Sequence, residues 1–465
     1  MIVDFNSGTN DQEIPQVVIV GSGPAGITLA LNLEKKNIKS LIIEAGEKEV
    51  SYRSQDFYKG EVIGLFPKNL DALRLRQFGG TSGHWGGSCR TLDSYDFDKW
   101  PIKKNDLDKY LDEACKILDI KKGNYIDKEL DGDIKKIEWR TSPVRFYEKY
   151  YQHLLNSKYI YFTLNTSLLN FEIDNKKVTS INCLTKNGKR FKIHKKLFVL
   201  ASGGIENSRI LKWSASKNNK NILNKLPVGN YFMEHPWKTV GYAIGSEIEF
   251  NKFFKSSAVS FAPTKNFIKK NKILNANFML KMENKNQNQE LNNVCFELNA
   301  KNQLISFVEK TKDLCGSRIV SSWEQDPIYE NRIELGKKKD PYGIPVPKII
   351  YRKTKIMKET IRIILENLGN KFIEKNIGRI AIENFFYDDS KSFMTDAGYH
   401  HLGGTRMGDN PTESVVDKNL KVHFLDNLYI LGSSVFPTGG HANPTLSIVQ
   451  LSLRLSDHLT MNKIL

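Results

Sequence analysis

Val17-Val18-Ile19-Val20 runs directly into Gly21-Ser22-Gly23-Pro24-Ala25-Gly26, and ITLALNLEKK follows with apolar residues at helical spacing. A β-branched run, a glycine turn and this periodicity predict strand, tight turn and helix. Ser40-Leu41-Ile42-Ile43 supplies a second strand that ends at Glu44-Ala45, with Glu44 18 residues after Gly26. The order is that of a βαβ dinucleotide-binding unit with its acidic residue in place. The three glycines do different things. Gly21 permits the turn, Gly23 lets backbone approach a diphosphate, and Gly26 lets the helix pack on the strand. N–H groups at the helix start, opened by Pro24 and Ala25, favour phosphate, and the Glu44 carboxylate can accept from both ribose hydroxyls. NAD and FAD both satisfy these residues.

Two later segments repeat the strand-to-small-residue pattern. Leu197-Phe198-Val199-Leu200 ends in Ala201-Ser202-Gly203-Gly204 before the helical IENSRIL, and Leu428-Tyr429-Ile430-Leu431 ends in Gly432-Ser433-Ser434 ahead of the helical 446–455. Small residues at strand ends let a cofactor lie across the edge of a parallel sheet, so the nucleotide domain is expected to be discontinuous. Residues 240–390 differ: alternating stretches at Asn331–Leu335 and Lys348–Arg352 flank the turn-rich Lys339-Asp340-Pro341-Tyr342-Gly343 and predict antiparallel sheet. Lys355–Phe372 has helical periodicity and is expected to cover that sheet. The fold class is therefore α/β, α+β overall. Residues 1–115, 160–240 and 391–465 form the nucleotide domain, and 116–159 and 241–390 an inserted antiparallel substrate domain.

A net charge of +17 comes largely from lysine in a chain also rich in asparagine and isoleucine. It is read as compositional bias, with no nucleic-acid partner. In 250–273 lysines interleave with phenylalanines; a solvated loop is expected there, with peripheral membrane contact as the alternative. Five scattered cysteines without a CxxC pair argue against zinc, a disulfide framework and a dithiol flavoenzyme. No apolar run approaches the ~20 residues of a membrane span. The first residues lack the order of a secretory signal, so a cytoplasmic location is the default.

Near the C-terminus TDAGYHHLGGTRMG places His400 beside His401, and Gly440-His441-Ala442-Asn443-Pro444-Thr445 follows. No metal is expected, because His400, His401 and His441 lack the i, i+4 spacing and acidic companions of common metal sites. Pro444 and Thr445 open a helix whose free N–H groups could face developing negative charge.

The dinucleotide unit, GGTSGHWGG (79–87), ASGGIENSR, YHHLGGTRMG and SSVFPTGGHANPTLSIVQLSLRLSDHL occur in the order seen in the glucose-methanol-choline (GMC) oxidoreductases. The chain resembles that family over essentially its whole length, and is most similar to the branch holding pyranose 2-oxidase, fructose dehydrogenase and bacterial glycoside 3-oxidases. The resemblance implies FAD, with Gly79, Gly80, Ser82, His84, Trp85, Gly86, Ala201, Gly203, Ser433, Ser434, Asn443, Pro444 and Thr445 joining the βαβ residues around it. In pyranose 2-oxidase the histidine matching His84 carries the flavin covalently. Related dehydrogenases keep His-Trp without the bond, and a noncovalent flavin is favoured here. The family's base lies seven residues before the hydrophobic residue of the closing Met-Gly, which selects His400 from Met407. Asn443 is its partner, an amide that donates to the substrate oxygen without competing for the proton. His441 is the alternative partner, His401 a packing neighbour, and His235 structural, since nothing pairs it with a second catalytic group. Gly403 and Gly404 are read as room for backbone near the flavin. The implied reaction is oxidation of a secondary hydroxyl of a sugar or glycoside, with oxygen, quinone or a redox protein as electron acceptor. A non-sugar alcohol, or a lyase without net redox change, is the alternative.

Overall fold

In the computed structural model, which describes residues 1–7, 14–217, 222–255, 258–281, 283–284, 314–388, 390, 396–462 and 464, Val17–Val20 is the centre of a five-stranded sheet. Its strand order is Leu428–Ile430, Leu197–Leu200, Val17–Val20, Ser40–Ile43 and Ile160–Thr163, and every pairing is parallel. Strands buried on both faces read as continuous apolar runs rather than alternating ones, and VVIV and LFVL are buried throughout. The register sets Val20 beside both Leu200 and Ile43. Gly21, Ala201 and Glu44 therefore leave the sheet along one edge. Pro24–Glu34 and Thr445–Met461 pack on each other, and Gly204–Ser216 follows the strand Leu197–Leu200.

The second layer is a nine-stranded antiparallel sheet. Its main path runs Gly378–Ile382, Pro236–Ser246, Leu314–Trp323, Ala276–Lys281, Ala258–Pro263, Ile134–Lys136 and Lys128–Glu129. Helix Lys355–Glu374 covers it, burying Met357, Ile361, Ile364, Leu365, Leu368 and Phe372 against Phe261, Phe278, Ile319 and Trp323. Each such side chain contributes about 2 kcal/mol of burial. Helix Phe146–Asn156, within the stretch assigned above to the substrate half, instead buries Phe146, Tyr150 and Leu154 in the core of the parallel sheet.

The structure corrects three expectations from the sequence. Residues 250–273 are not a solvated loop, apart from 256–257, which lie outside the described residues. Helix Glu247–Phe254, strand Ala258–Pro263 and helix Lys265–Asn271 turn Phe250, Phe254, Phe261 and Phe267 into the core while Lys252, Lys265, Lys269 and Lys270 stay in solvent. The interleaving of lysine and phenylalanine is the amphipathic pattern of short elements on a sheet. Second, Arg332–Lys339 and Pro345–Tyr351 pair as an antiparallel hairpin, but outside the large sheet. With Glu61–Gly64 parallel to the second strand they form a separate sheet. Its Ile333, Ile349 and Tyr351 pack on Phe66, Ile205 and Phe232, so the Asp340–Gly343 turn is carried to the nucleotide side. Third, Gly403 and Gly404 do not border the cavity described below. Their φ angles of +71° and +83° and tight packing against the Tyr231 carbonyl and the Ser208 hydroxyl explain them as packing glycines.

Thr166–Asp174, Lys177–Thr185 and Arg190–Ile193 form a further antiparallel sheet that the motifs did not anticipate. Cys89, Cys115 and Cys183 are free and buried, while Cys295 lies outside the described residues. Among the described residues no helix is long and apolar enough to cross a membrane.

Candidate active site

The edge of the parallel sheet opens into a cavity of about 480 Å³. Of the residues expected around a cofactor, Gly21, Gly23, Pro24, Ala25, Glu44, Ala45, Gly80, Ser82, His84, Trp85, Gly86, Ala201, Gly203, Ser433, Asn443, Pro444 and Thr445 line it, and so does His400. Gly26, Gly79 and Ser434 stand behind the wall. A Cβ on Gly26 would collide with the Gly21 carbonyl, and one on Gly79 with the helix start at Tyr147. Ser434 Oγ accepts from Asn207 Nδ2 at 2.9 Å and Thr405 Oγ1 at 2.7 Å.

The glycine turn has the geometry its sequence requires. Gly21 sits at φ +106°, and any side chain there would strike the Ala201 carbonyl. Gly23, the N-cap of helix Pro24–Glu34, has no side chain to cap the helix, leaving N–H groups for an anion. A Cβ at Gly23, Gly86 or Gly203 would meet nothing within 4 Å, so three bare backbone surfaces face open space. Glu44 Oε2 accepts from Ser22 N at 3.0 Å and Ser22 Oγ at 2.6 Å, and Oε1 from Gly46 N at 2.6 Å. These bonds fix the carboxylate at the strand end, occupy both lone pairs of Oε2 and leave Oε1 one lone pair for a ribose hydroxyl. Asn207 ties two strand ends together, accepting from Ser202 N at 2.8 Å and donating to the Leu431 carbonyl at 3.0 Å.

His400 and Asn443 reach the same cavity from separate loops. Asn443 Nδ2 donates to the Ser88 carbonyl at 3.1 Å, which spends one of its two N–H groups and holds the amide in place. His400 follows Tyr399, whose φ of +59° is a left-handed conformation that costs a non-glycine residue energy. The His400 N–H donates to Glu234 Oε1 at 2.7 Å, and His400 Nδ1 lies 3.0 Å from His235 Nδ1. Burial, then the neighbouring His235 and His401, hold the His400 imidazole well below its usual range. It is the free base at neutral pH.

The other histidines separate. His401 borders the cavity but is buried, stacked on Phe232 with centroids 6.2 Å apart, and burial and Arg74 press it down to about 3. His441 is turned away from the cavity, with Nε2 3.4 Å from Asp93 Oδ2. The structure therefore does not place it as Asn443's substitute. His235, read from sequence as unpaired, is the ring partner of His400; the two lie 165 residues apart, a separation no local pattern carries. Glu234 is buried and pushed up to about 8 by that burial, against the two backbone N–H donors of His235 and His400.

Sequence reasoning also missed a buried ion network in the cavity wall. Arg74 Nη1 donates to Glu206 Oε1 at 2.7 Å, Arg209 Nη1 to Glu206 Oε2 at 3.0 Å, and Arg209 Nη2 to Asp340 Oδ2 at 2.6 Å. Burial alone would raise the Glu206 carboxyl, but Arg209 and Arg74 outweigh it and hold it below its usual range. The i, i+3 spacing of Glu206 and Arg209 in IENSR is the one local signal of this network. His84 borders the cavity edge-on to Tyr399 at 6.3 Å, and Trp85 Nε1 donates to the Val144 carbonyl at 2.8 Å. Among the described residues no group of His, Cys, Asp and Glu is placed to hold a metal ion.

Residues 327–452, which carry both the histidine pair and the Asn443 segment, match the GMC oxidoreductase family. The likeness to that family lies in the C-terminal part of the chain. The chain is 26% identical over 285 residues to the fructose dehydrogenase large subunit of Gluconobacter japonicus, covering 60% of this chain and 50% of that subunit. Over 118 residues it is 32% identical to the C-glycoside 3-oxidase of Arthrobacter globiformis, covering 25% of this chain and 21% of that enzyme. The match thus spans about half the length of the first relative. The crystal structure of pyridoxine 4-oxidase from Mesorbium loti shares the fold, with a TM-score of 0.59 at 14% identity over 96% of this chain and 99% of that one.

Proposed function

We propose that this chain is a GMC oxidoreductase that binds FAD noncovalently and oxidises a secondary hydroxyl of a sugar or glycoside to a ketone. One observation carries the reading: a neutral histidine, His400, and an anchored amide, Asn443, border the same cavity as the dinucleotide turn. FAD is what the family implies. The residues fit it, since the uncapped helix at Gly23 suits a diphosphate, Glu44 suits a ribose, and the bare faces of Gly23, Gly86 and Gly203 leave room for a planar group. Bound FAD supplies the acceptor for the hydride that leaves the substrate carbon. His400 takes the hydroxyl proton, and Asn443 holds the hydroxyl oxygen through its remaining N–H. The helix Thr445–Met461, also without a side-chain cap, directs its first N–H groups to the same region, where they stabilise negative charge. A carbohydrate substrate is supported by the names of the relatives, a fructose dehydrogenase and a C-glycoside oxidase.

The test is an anaerobic screen for flavin bleaching over monosaccharides, glycosides and simple alcohols. Bleaching by a sugar or glycoside is the expected result. A flavin that stays oxidised while substrate is consumed would replace this reading with a lyase.

The geometry carries two further expectations. Gly23→Val adds a side chain whose Cβ meets no protein atom within 4 Å and which enters the diphosphate space. The purified variant is expected to keep the apoprotein's melting temperature within ~2 °C while retaining less than about a tenth of the flavin. The His400 imidazole is held below 6.5, so protonation removes the base only below that pH. The rate of flavin reduction is expected to stay level from about pH 8 down to 6.5 and to fall beneath it. A limb centred above pH 7 would exclude His400 as the base.

A further inference from the structure

His235 is fully buried, lines no part of the cavity, and has one ring nitrogen against His400. Two neutral imidazoles 3.0 Å apart through their Nδ1 atoms share one proton in that contact, so one ring donates and the other accepts. The far side of His235 decides which. Its Nε2 has no hydrogen-bond partner of full geometry and points at the Gly439–Gly440 backbone, so close that a Cβ on Gly439 would stand 2.8 Å from it. Backbone groups of both glycines favour a proton on that ring, as carbonyl oxygens do. A bare Nε2 lone pair there would be a buried acceptor facing acceptors, whereas an N–H meets complementary charge. A proton on Nε2 leaves Nδ1 of the neutral ring as the acceptor.

We infer that His235 is the positioning residue of this site: by accepting the His400 Nδ1 proton it fixes the tautomer that leaves His400 Nε2 bare toward the cavity. The inference rests on the reading of His400 as the base. Three backbone bonds hold the two rings in register: the His235 and His400 N–H groups both donate to Glu234 Oε1, at 2.9 and 2.7 Å, and Gly398 N–H donates to the His235 carbonyl at 3.0 Å. When His400 takes a proton on Nε2, the resulting imidazolium keeps its Nδ1–H directed at the His235 lone pair. The positive charge thus forms with a neutral acceptor already in place, the service a carboxylate gives in a hydrolase triad. With the proton on the wrong nitrogen, His400 could only donate to a hydroxyl and could not deprotonate it.

The experiment is long-range proton–nitrogen correlation NMR on flavin-loaded protein labelled with nitrogen-15 in histidine, with His400→Gln identifying the His400 signals. The wild type is expected to show His400 protonated at Nδ1 and bare at Nε2; the opposite tautomer overturns the inference. In His235→Leu, which removes the acceptor, the His400 tautomer is expected to move to Nε2–H and flavin reduction to slow on the order of 100-fold with KM little changed. His235→Asn, whose amide oxygen stands near the lost Nδ1, is expected to restore the tautomer and most of the rate. Equal losses in the Leu and Asn variants, or an unmoved tautomer in the Leu variant, would reduce His235 to packing. If His235→Leu does not fold, the wild-type tautomer alone decides. If His400→Gln keeps full activity, the proposed base is wrong while the measured tautomer still judges the His235–His400 pairing.

Discussion

Replacing His400 by alanine is expected to slow anaerobic flavin reduction by ~100-fold or more while the protein keeps its flavin spectrum. The size of the effect follows from general base catalysis: without His400 the hydroxyl proton has no positioned group to receive it. His401→Ala should behave in the opposite way. Its ring is buried at the cavity wall against Phe66 and Phe232. The expected cost is about 1–3 kcal/mol of stability, with a reduction rate within ~3-fold of wild type. A slow His401→Ala beside a normal His400→Ala, measured by stopped-flow absorbance, would reverse the assignment.

The second large effect is structural. Glu206→Ala removes the carboxylate shared by Arg74 and Arg209, whose side chains are each 7% exposed, and leaves Arg209 paired with Asp340 and Arg74 with the Tyr58 carbonyl in place of a carboxylate. Removing one partner of a buried ion network costs about 3–5 kcal/mol, because the uncompensated charge stays buried. Urea denaturation should show that loss at neutral pH, together with weaker flavin retention, since the network borders the cavity. The pH dependence supplies a sign. Glu206 is held below its ordinary 4.5 in the folded protein, so its contribution is present above that pH and fades as pH falls through the folded value. Wild type and variant are therefore expected to converge in acid. A difference that grows as pH drops would mean that the ion network is not the source.

Much of the nucleotide half could be read directly. The strand Val17–Val20, its glycine turn, the helix Pro24–Glu34 and the strand Ser40–Ile43 appear where the pattern put them, because alternation, turn chemistry and helical periodicity act over a few residues. Helix Lys355–Glu374 was legible for the same reason. In 250–273 the same rules were present but misjudged: short amphipathic elements resemble loops until the surface that buries their phenylalanines is known. The hairpin Arg332–Tyr351 was correct as a hairpin and wrong in its neighbours, since strand pairing with Glu61–Gly64 is set by packing far away in sequence.

The site divides along the same line. The family resemblance, counted back from Met407, selected His400, and the same resemblance selected Asn443 before Pro444, so the two candidate chemical groups were legible through that likeness. By itself the sequence determined the dinucleotide turn, which depends on residues a few positions apart. Tertiary structure alone decided that His400 leans on His235 and that Glu206 holds two arginines, one of them 132 residues distant. It also decided that His441 faces Asp93 instead of the cavity. Proton position and buried charge are set by whatever atoms lie within about 4 Å, and in a sheet fed by five separated strands those atoms come from the whole length of the chain.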